Sequence, residues 1–146
     1  MRHIMVINAK GGSGKTTIAT NLASYFASQN KHVSIIDYDP QTSSLDWLAA
    51  RSSAKQPIQG IAGFKRNAER PSRKTDIVIM DVPAALHGAE LTKLVKKAQT
   101  ILVPVLPSPI DMRAATHFLA ELKNCAPVSQ KKAKLALVAN RAREIT

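Results

Sequence analysis

The octapeptide Lys10-Gly11-Gly12-Ser13-Gly14-Lys15-Thr16-Thr17 constrains this chain more than any other feature. It follows a short apolar run, Ile4–Asn8, and precedes a stretch with Ile18, Leu22, Ala23 and Phe26 at helical spacing. Strand, glycine-rich loop and helix in direct succession form the setting of a phosphate-binding loop. Glycines at 11, 12 and 14 open backbone torsions that let successive N–H groups point inward at phosphate oxygens. The helix start adds its positive dipole end. Lys15 supplies an ammonium to the β- and γ-phosphates, and the Thr16 hydroxyl is placed for Mg²⁺. The plain alternative is a glycine-rich turn carrying a chance Gly-Lys-Thr.

Apolar runs and helical patterns alternate along the rest of the chain. Strands are expected at Val33–Ile36, Ile77–Met80, Ile101–Val105 and Leu135–Ala139. Helices are expected over Ser44–Ala50, around Leu91–Ala98 and over Met112–Leu122. Residues 51–74 are the least legible. Pro57, Gly60, Gly63 and Pro71 interrupt them, and Lys65, Arg66, Arg70, Arg73 and Lys74 face a lone Glu69, so a short strand near Ile58–Ile61 and an exposed basic loop are expected. This order predicts an α/β fold, a doubly wound and mainly parallel sheet with helices on both faces. The 146 residues suit one domain. The last strand has no following helix to cover its face, so a C-terminally truncated domain is one expectation.

Ligand groups in open α/β sheets collect at the carboxyl ends of strands. Asp37 and Asp39 stand there in Asp-Tyr-Asp-Pro-Gln, Asp81 closes Ile77–Met80, and Asn140-Arg141 follows the last strand. Each has a plain reading beside the functional one: a loop or helix cap for Asp37, Asp39 and Asn140, a turn residue for Asp81.

The loop has Ala9 where the usual Gly-x-x-x-x-Gly-Lys-Thr would have glycine, and Lys10 beside it. It resembles the deviant Walker A loop of ParA/MinD ATPases (P-loop NTPases), most closely the small ParF-like branch, whose Pro-Ser-Pro corner is matched by Pro107-Ser108-Pro109 with Asp111 and Ala114-Ala115 after it. The resemblance implies that Lys10 reaches the nucleotide of a partner subunit, and the alternative is a surface lysine. It further implies that Asp39 positions the attacking water, Asp37 supports the Mg²⁺ shell, and Asp81, as the Walker B aspartate, holds Mg²⁺ through water. Asn140 and Arg141 would contact the adenine, and Pro107 would border it. With Gly11, Gly12, Ser13, Gly14, Lys15, Thr16 and Thr17 these make the expected nucleotide site, for ATP and Mg²⁺. Val82-Pro83-Ala84 departs from the Pro-Pro or Gly-x-Gly common after the Walker B aspartate, so the second switch is expected to move differently.

The expected activity is that of a weak, partner-stimulated ATPase, homodimeric with ATP, that binds DNA without sequence preference and positions plasmid, chromosome or protein-complex cargo with a ParB-like or adaptor protein. Rival readings are a metabolic enzyme of the dethiobiotin-synthetase kind and a nucleotide-gated DNA-binding module without productive cycling. A formal charge of +11 suits a phosphate-rich partner, with Lys65, Arg66, Arg70, Arg73, Lys74, Lys93, Lys96, Lys97, Lys131 and Lys132 as candidates against the plain reading of solvated faces. The four histidines and Cys125 have no metal-ligand spacing, so no metal beyond Mg²⁺ is expected. Trp47, Tyr25 and Phe118 read as packing residues, while Tyr38 stays open. With no signal-peptide pattern and no apolar stretch of about 18–20 residues, a cytoplasmic protein is expected, nucleoid-associated with ATP and without membrane contact.

Overall fold

The computed structural model describes residues 1–144. Six strands form one sheet: β1 Arg2–Val6, β2 Val33–Asp37, β3 Ile58–Ala62, β4 Ile77–Asp81, β5 Thr100–Val105 and β6 Lys134–Ala139. They lie in the order β3-β2-β4-β1-β5-β6, every neighbouring pair parallel. Helices α1 Lys15–Ser28, α2 Ser43–Ala49, α3 Gly88–Val95, α4 Pro109–Asn124 and the short α5 Ala126–Ser129 connect them.

The alternation of side chains along each strand builds two cores. Ile4, Val6, Val33, Ile35 and Ile79 pack with Ala19, Ala23 and Ala27 of α1, and Trp47 and Leu48 of α2 lean on them. Met5, Ile7, Val78, Met80, Ile101 and Val103 face the other way, against Leu91, Leu94 and Val95 of α3 and Phe118 and Leu122 of α4. Alanine on the α1 face lets that helix sit close to the sheet. The doubly wound expectation is met, with helices on both faces.

Several element bounds differ from the sequence expectation for local reasons. β1 ends at Val6, not Asn8, because Asn8 leaves the ladder and donates from Nδ2 to the Pro104 carbonyl at 2.7 Å. α4 starts at Pro109, not Met112: Ser108 caps it, accepting from the Asp111 N–H at 3.2 Å, and proline suits a first-turn position with no N–H to satisfy. α5 has no counterpart in the expectation. Residues 51–74 do hold a strand, β3, at one edge of the sheet, and the basic side chains after it are exposed. Phe118 is buried and Trp47 partly so, but Tyr25 is 58% exposed, with its ring edge-on to Phe26. Tyr38 is half-buried against the second core.

At the opposite edge β6 is largely open. Leu137 is 56% exposed, and with Met112, Leu119 and Val105 it lines an apolar groove of about 360 Å³.

Candidate functional site

The strands of a parallel sheet all end on one edge, so the loop after β1 meets the ends of β2 and β4 there. Gly11, Gly12, Gly14, Lys15, Thr16, Thr17, Asp39, Ala84 and Arg141 line a cavity of about 300 Å³. Gly12 and Gly14 have φ of 74° and 91°, the left-handed region that a side chain disfavours. Gly11 lies outside that region, and a Cβ there would meet nothing within 4 Å. The loop is therefore bent by two of its three glycines.

Its two lysines go to different places. Lys15 turns back under the loop and donates from Nζ to the Lys10 carbonyl at 3.2 Å. Burial lowers its pKa, while the carboxylates of Asp81 and Asp39 pull the other way. Lys10 points away from the cavity, its Nζ 2.8 Å from Asp111 Oδ1 at the start of α4. Asp111 is 7% exposed; Lys10, then Ser108, hold its carboxyl below the ordinary range.

Asp37 and Asp81 are register partners on β2 and β4. Asp81 Oδ2 accepts from Thr16 Oγ1 at 2.8 Å and from Ser44 Oγ. Burial pushes the Asp81 carboxyl up, and the hydrogen bonds from Ser44 and Thr16 oppose the shift. Asp37 is fully buried. Its Oδ1 accepts the Asp39 N–H at 2.9 Å and its Oδ2 the Ser44 N–H at 3.1 Å. Burial raises its pKa too, and the neighbouring Asp81 adds to that. Asp39 accepts the Gln41 N–H at 2.9 Å and borders the cavity.

This donor set fits Mg²⁺. One hydroxyl and one carboxylate converge beside a phosphate loop, both hard oxygen donors, and a second buried carboxylate, Asp37, lies alongside on the neighbouring strand. Thr16 and Asp81 are the pair that would hold the ion, with Asp37 behind them bracing the Asp39–Ser44 turn. Among the described residues no cluster of His, Cys, Asp and Glu suits another metal.

Asn140 lies against the loop, Nδ2 donating to the Ser13 carbonyl at 2.9 Å. A Cβ on Gly14 would sit 2.1 Å from that nitrogen, so the loop and the end of β6 fit only with glycine there. Arg141 reaches the cavity rim; Pro107 does not, facing the apolar groove beside β6 because the Pro-Ser-Pro corner turns the chain into α4. Ser13 is buried, its Oγ without a partner. Sequence reasoning missed Ser44, a serine among several whose one signal is its place at the start of α2, and missed Asp111 as the partner of Lys10.

Residues 4–144 match the model of the CobQ/CobB/MinD/ParA nucleotide binding domain. The chain belongs to this family. The Maintenance of carboxysome distribution protein A of Halothiobacillus neapolitanus is 34% identical over 142 residues, covering 94% of this chain and 65% of that protein. Its namesake from Gloeobacter kilaueensis is 35% identical over 120 residues, covering 76% of this chain and 52% of that protein. The chain thus spans between half and two thirds of the length of these curated relatives. The chromosome-partitioning ATPase Soj of Thermus thermophilus is 46% identical over 68 residues, 42% of this chain and 27% of its own. Among solved structures, a Cyanothece McdA–ATP complex superposes with a TM-score of 0.74 at 17% identity, covering 95% of this chain and 70% of that one. A Mycobacterium smegmatis cobyrinic acid a,c-diamide synthase with ADP and magnesium gives 0.73 at 19%, covering 95% and 74%. At these identities the structures establish a shared fold.

Proposed function

We propose that this protein is a ParA-type ATPase that dimerises with ATP, binds DNA without sequence preference, and positions intracellular cargo with an adaptor that stimulates hydrolysis. The observation that carries the reading is the divergence of the two loop lysines: Lys15 serves the local cavity, and Lys10 faces outward, 2.8 Å from Asp111. A cation beside a phosphate loop but turned from its cavity has its natural use at a second nucleotide. The relatives named for carboxysome distribution and chromosome partitioning support the same reading.

ATP enters the cavity with its phosphates against the N–H groups of residues 11–16, and Lys15 exchanges the Lys10 carbonyl for a phosphate oxygen. Thr16 and Asp81 would hold Mg²⁺, which would supply charge neutralisation to the phosphates when bound. Asp39 orients the attacking water, whose oxygen bonds the γ-phosphorus as the bond to the bridging oxygen breaks, giving ADP and phosphate. Lys10 of a second subunit adds positive charge where it develops in the transition state. Asn140 and Arg141 border the base.

Two substitutions test this. Lys15→Ala should abolish ATP binding in a fluorescent-nucleotide titration. Lys10→Ala should leave that titration within about threefold, while dimerisation with ATP in analytical ultracentrifugation is lost and turnover falls about 10³-fold or more, the scale of an arginine finger. Unchanged dimerisation and turnover in Lys10→Ala would remove the basis of the assignment.

A further inference from the structure

The strands of this sheet also begin together, along the edge opposite the phosphate loop. Backbone hydrogen bonds lace their entry segments into one row. The Asp76 N–H donates to His32 O at 2.8 Å, Arg2 N–H to Asp76 O at 2.8 Å, Gln99 N–H to His3 O at 3.0 Å, and Lys134 N–H to Gln99 O at 2.9 Å. From β3 across to β6, the entries carry Lys55, Lys31, Lys74, Arg2, Lys96 and Lys132, an exposed cation at every strand. Arg73 doubles the charge at β4; Lys131 and Lys134 triple it at β6. Asp76 is the one carboxylate in these described segments, and it is occupied by the His32 N–H at 2.9 Å and the His32 ring at 3.4 Å. Lys97 stays out of the row, its Nζ lying 5.6 Å from the Tyr38 ring centroid.

Complementing helix dipoles explains part of this pattern at most. Lys31, Lys96 and Lys132 follow helices, but Lys55 and Lys74 follow loops. With strands about 4.8 Å apart, the row is roughly 24 Å long, the length of about seven base pairs of duplex at 3.4 Å each. A row of exposed cations, with Arg2 held to Thr100 Oγ1 at 2.9 Å, matches a phosphate backbone in charge and in approximate length.

We propose that this amino-end edge is the surface that holds duplex DNA, through phosphate contacts and without reading bases. The inference rests on the DNA-binding part of the proposed function and gives it a location. An anionic membrane fits less well, since surface-binding elements pair their cations with an apolar face. Of the large exposed apolar side chains among the described residues, Met1 adjoins the row and Tyr25 lies in the last turn of α1 before Lys31; Leu137 is within β6, and Phe64, Ile110 and Met112 follow strand ends on the other edge, so no continuous apolar face accompanies the cations. The row and the nucleotide cavity are separated by a strand length, about 17 Å. Subunits joined through their nucleotide faces would turn the two rows outward at opposite ends, so each row would engage its own duplex.

Fluorescence anisotropy of a labelled duplex of about 30 base pairs and arbitrary sequence, with the full chain, ATP and Mg²⁺ at roughly 50 to 200 mM salt, tests the proposal. Replacing Lys74, Lys96 and Lys132 together by Gln should weaken binding at least about tenfold and take roughly three off the slope of log K against log salt. Lys65→Gln, Arg66→Gln and Arg113→Gln combined remove the same charge at the opposite edge and should change affinity less than about threefold. Circular dichroism and nucleotide binding should match the parent in both. Equal losses in the two variants, or a larger loss in the second, would overturn this surface and leave DNA binding standing. A parent chain with no measurable duplex affinity would overturn both. Vesicles of about one-quarter phosphatidylserine in phosphatidylcholine give the remaining outcome: row-dependent capture there without duplex binding would assign the edge to membranes instead.

Discussion

Lys10 and Asp111 form the contact on which the residue-scale behaviour of this protein turns. They lie 101 positions apart, joined at 2.8 Å at the foot of α4. In the proposed cycle Lys10 leaves this partner to reach another subunit, so the ion pair competes with dimerisation. Asp111→Asn should therefore let the ATP-bound dimer form at protein concentrations a few-fold lower, the scale of a partly solvated pair, with nucleotide affinity unchanged. Sedimentation against concentration measures it; a weaker dimer would contradict it. Asp81 sets a second expectation. Burial raises its carboxyl above the ordinary range, so the fold takes up a proton more readily than the unfolded chain, and stability falls as pH rises through that raised value. Asp81→Asn removes the penalty. The nucleotide-free variant should melt at a higher temperature than the parent at pH 8, with the gap closing toward pH 4. A lower Tm at pH 8 would mean that the Ser44 and Thr16 hydrogen bonds outweigh the buried charge.

At the scale of elements, α2 couples the β3 edge to the site. Its first turn holds Ser44 against Asp81, and its Leu45 and Leu48 lie over Gly60 of β3. A Cβ at Gly60 would come within 2.9 Å of Leu48 Cδ1 and 3.0 Å of Leu45 Cδ2. Alanine asks only that two flexible side-chain ends shift, whereas Gly60→Val overpacks the contact and should cost about 1–3 kcal/mol, read by denaturant unfolding. Because α2 also carries Ser44, Mg²⁺-dependent nucleotide affinity should fall with it. Unchanged affinity in a destabilised Gly60→Val would show that α2 and Asp81 are not coupled. The turns around the cavity are strained as well. Thr42, Ala85 and Arg141 have φ of 59°, 64° and 54° at the heads of β2, β4 and β6, which costs energy that surrounding structure must offset.

Across the whole molecule the two edges of the sheet differ in chemistry: the phosphate loop with Asp37, Asp39 and Asp81 lies at one, and a row of exposed cations with a single carboxylate among the described residues at the other. The open side of β6 is a third region. Leu137 and Met112 are exposed beside the apolar groove, and Ile110 near it is 74% exposed. Among the described residues no strand pairs with the outer edge of β6, and an apolar surface beside such an edge favours non-specific association. Leu137→Lys should lower the fluorescence of a hydrophobic-surface dye by about half or more and reduce light scattering on concentration, without loss of Tm, since the side chain is exposed. Dye binding equal to the parent's would place the apolar surface elsewhere.

The sequence alone determined the phosphate loop, the element order and Asp81 at the end of β4, since each is written in contiguous residues: glycines next to Lys15, apolar alternation, an acid closing an apolar run. Even β3 was readable at Ile58–Ile61. Tertiary structure decided what Lys10 touches, that both Asp37 oxygens are spent on the Asp39 and Ser44 N–H groups, that Asn140 closes on Gly14, and that cations scattered from Arg2 to Lys134 share one edge of the sheet. Local patterns record what a residue does within its own element. Parallel crossovers bring distant residues to a common edge, and no neighbour in sequence carries that information.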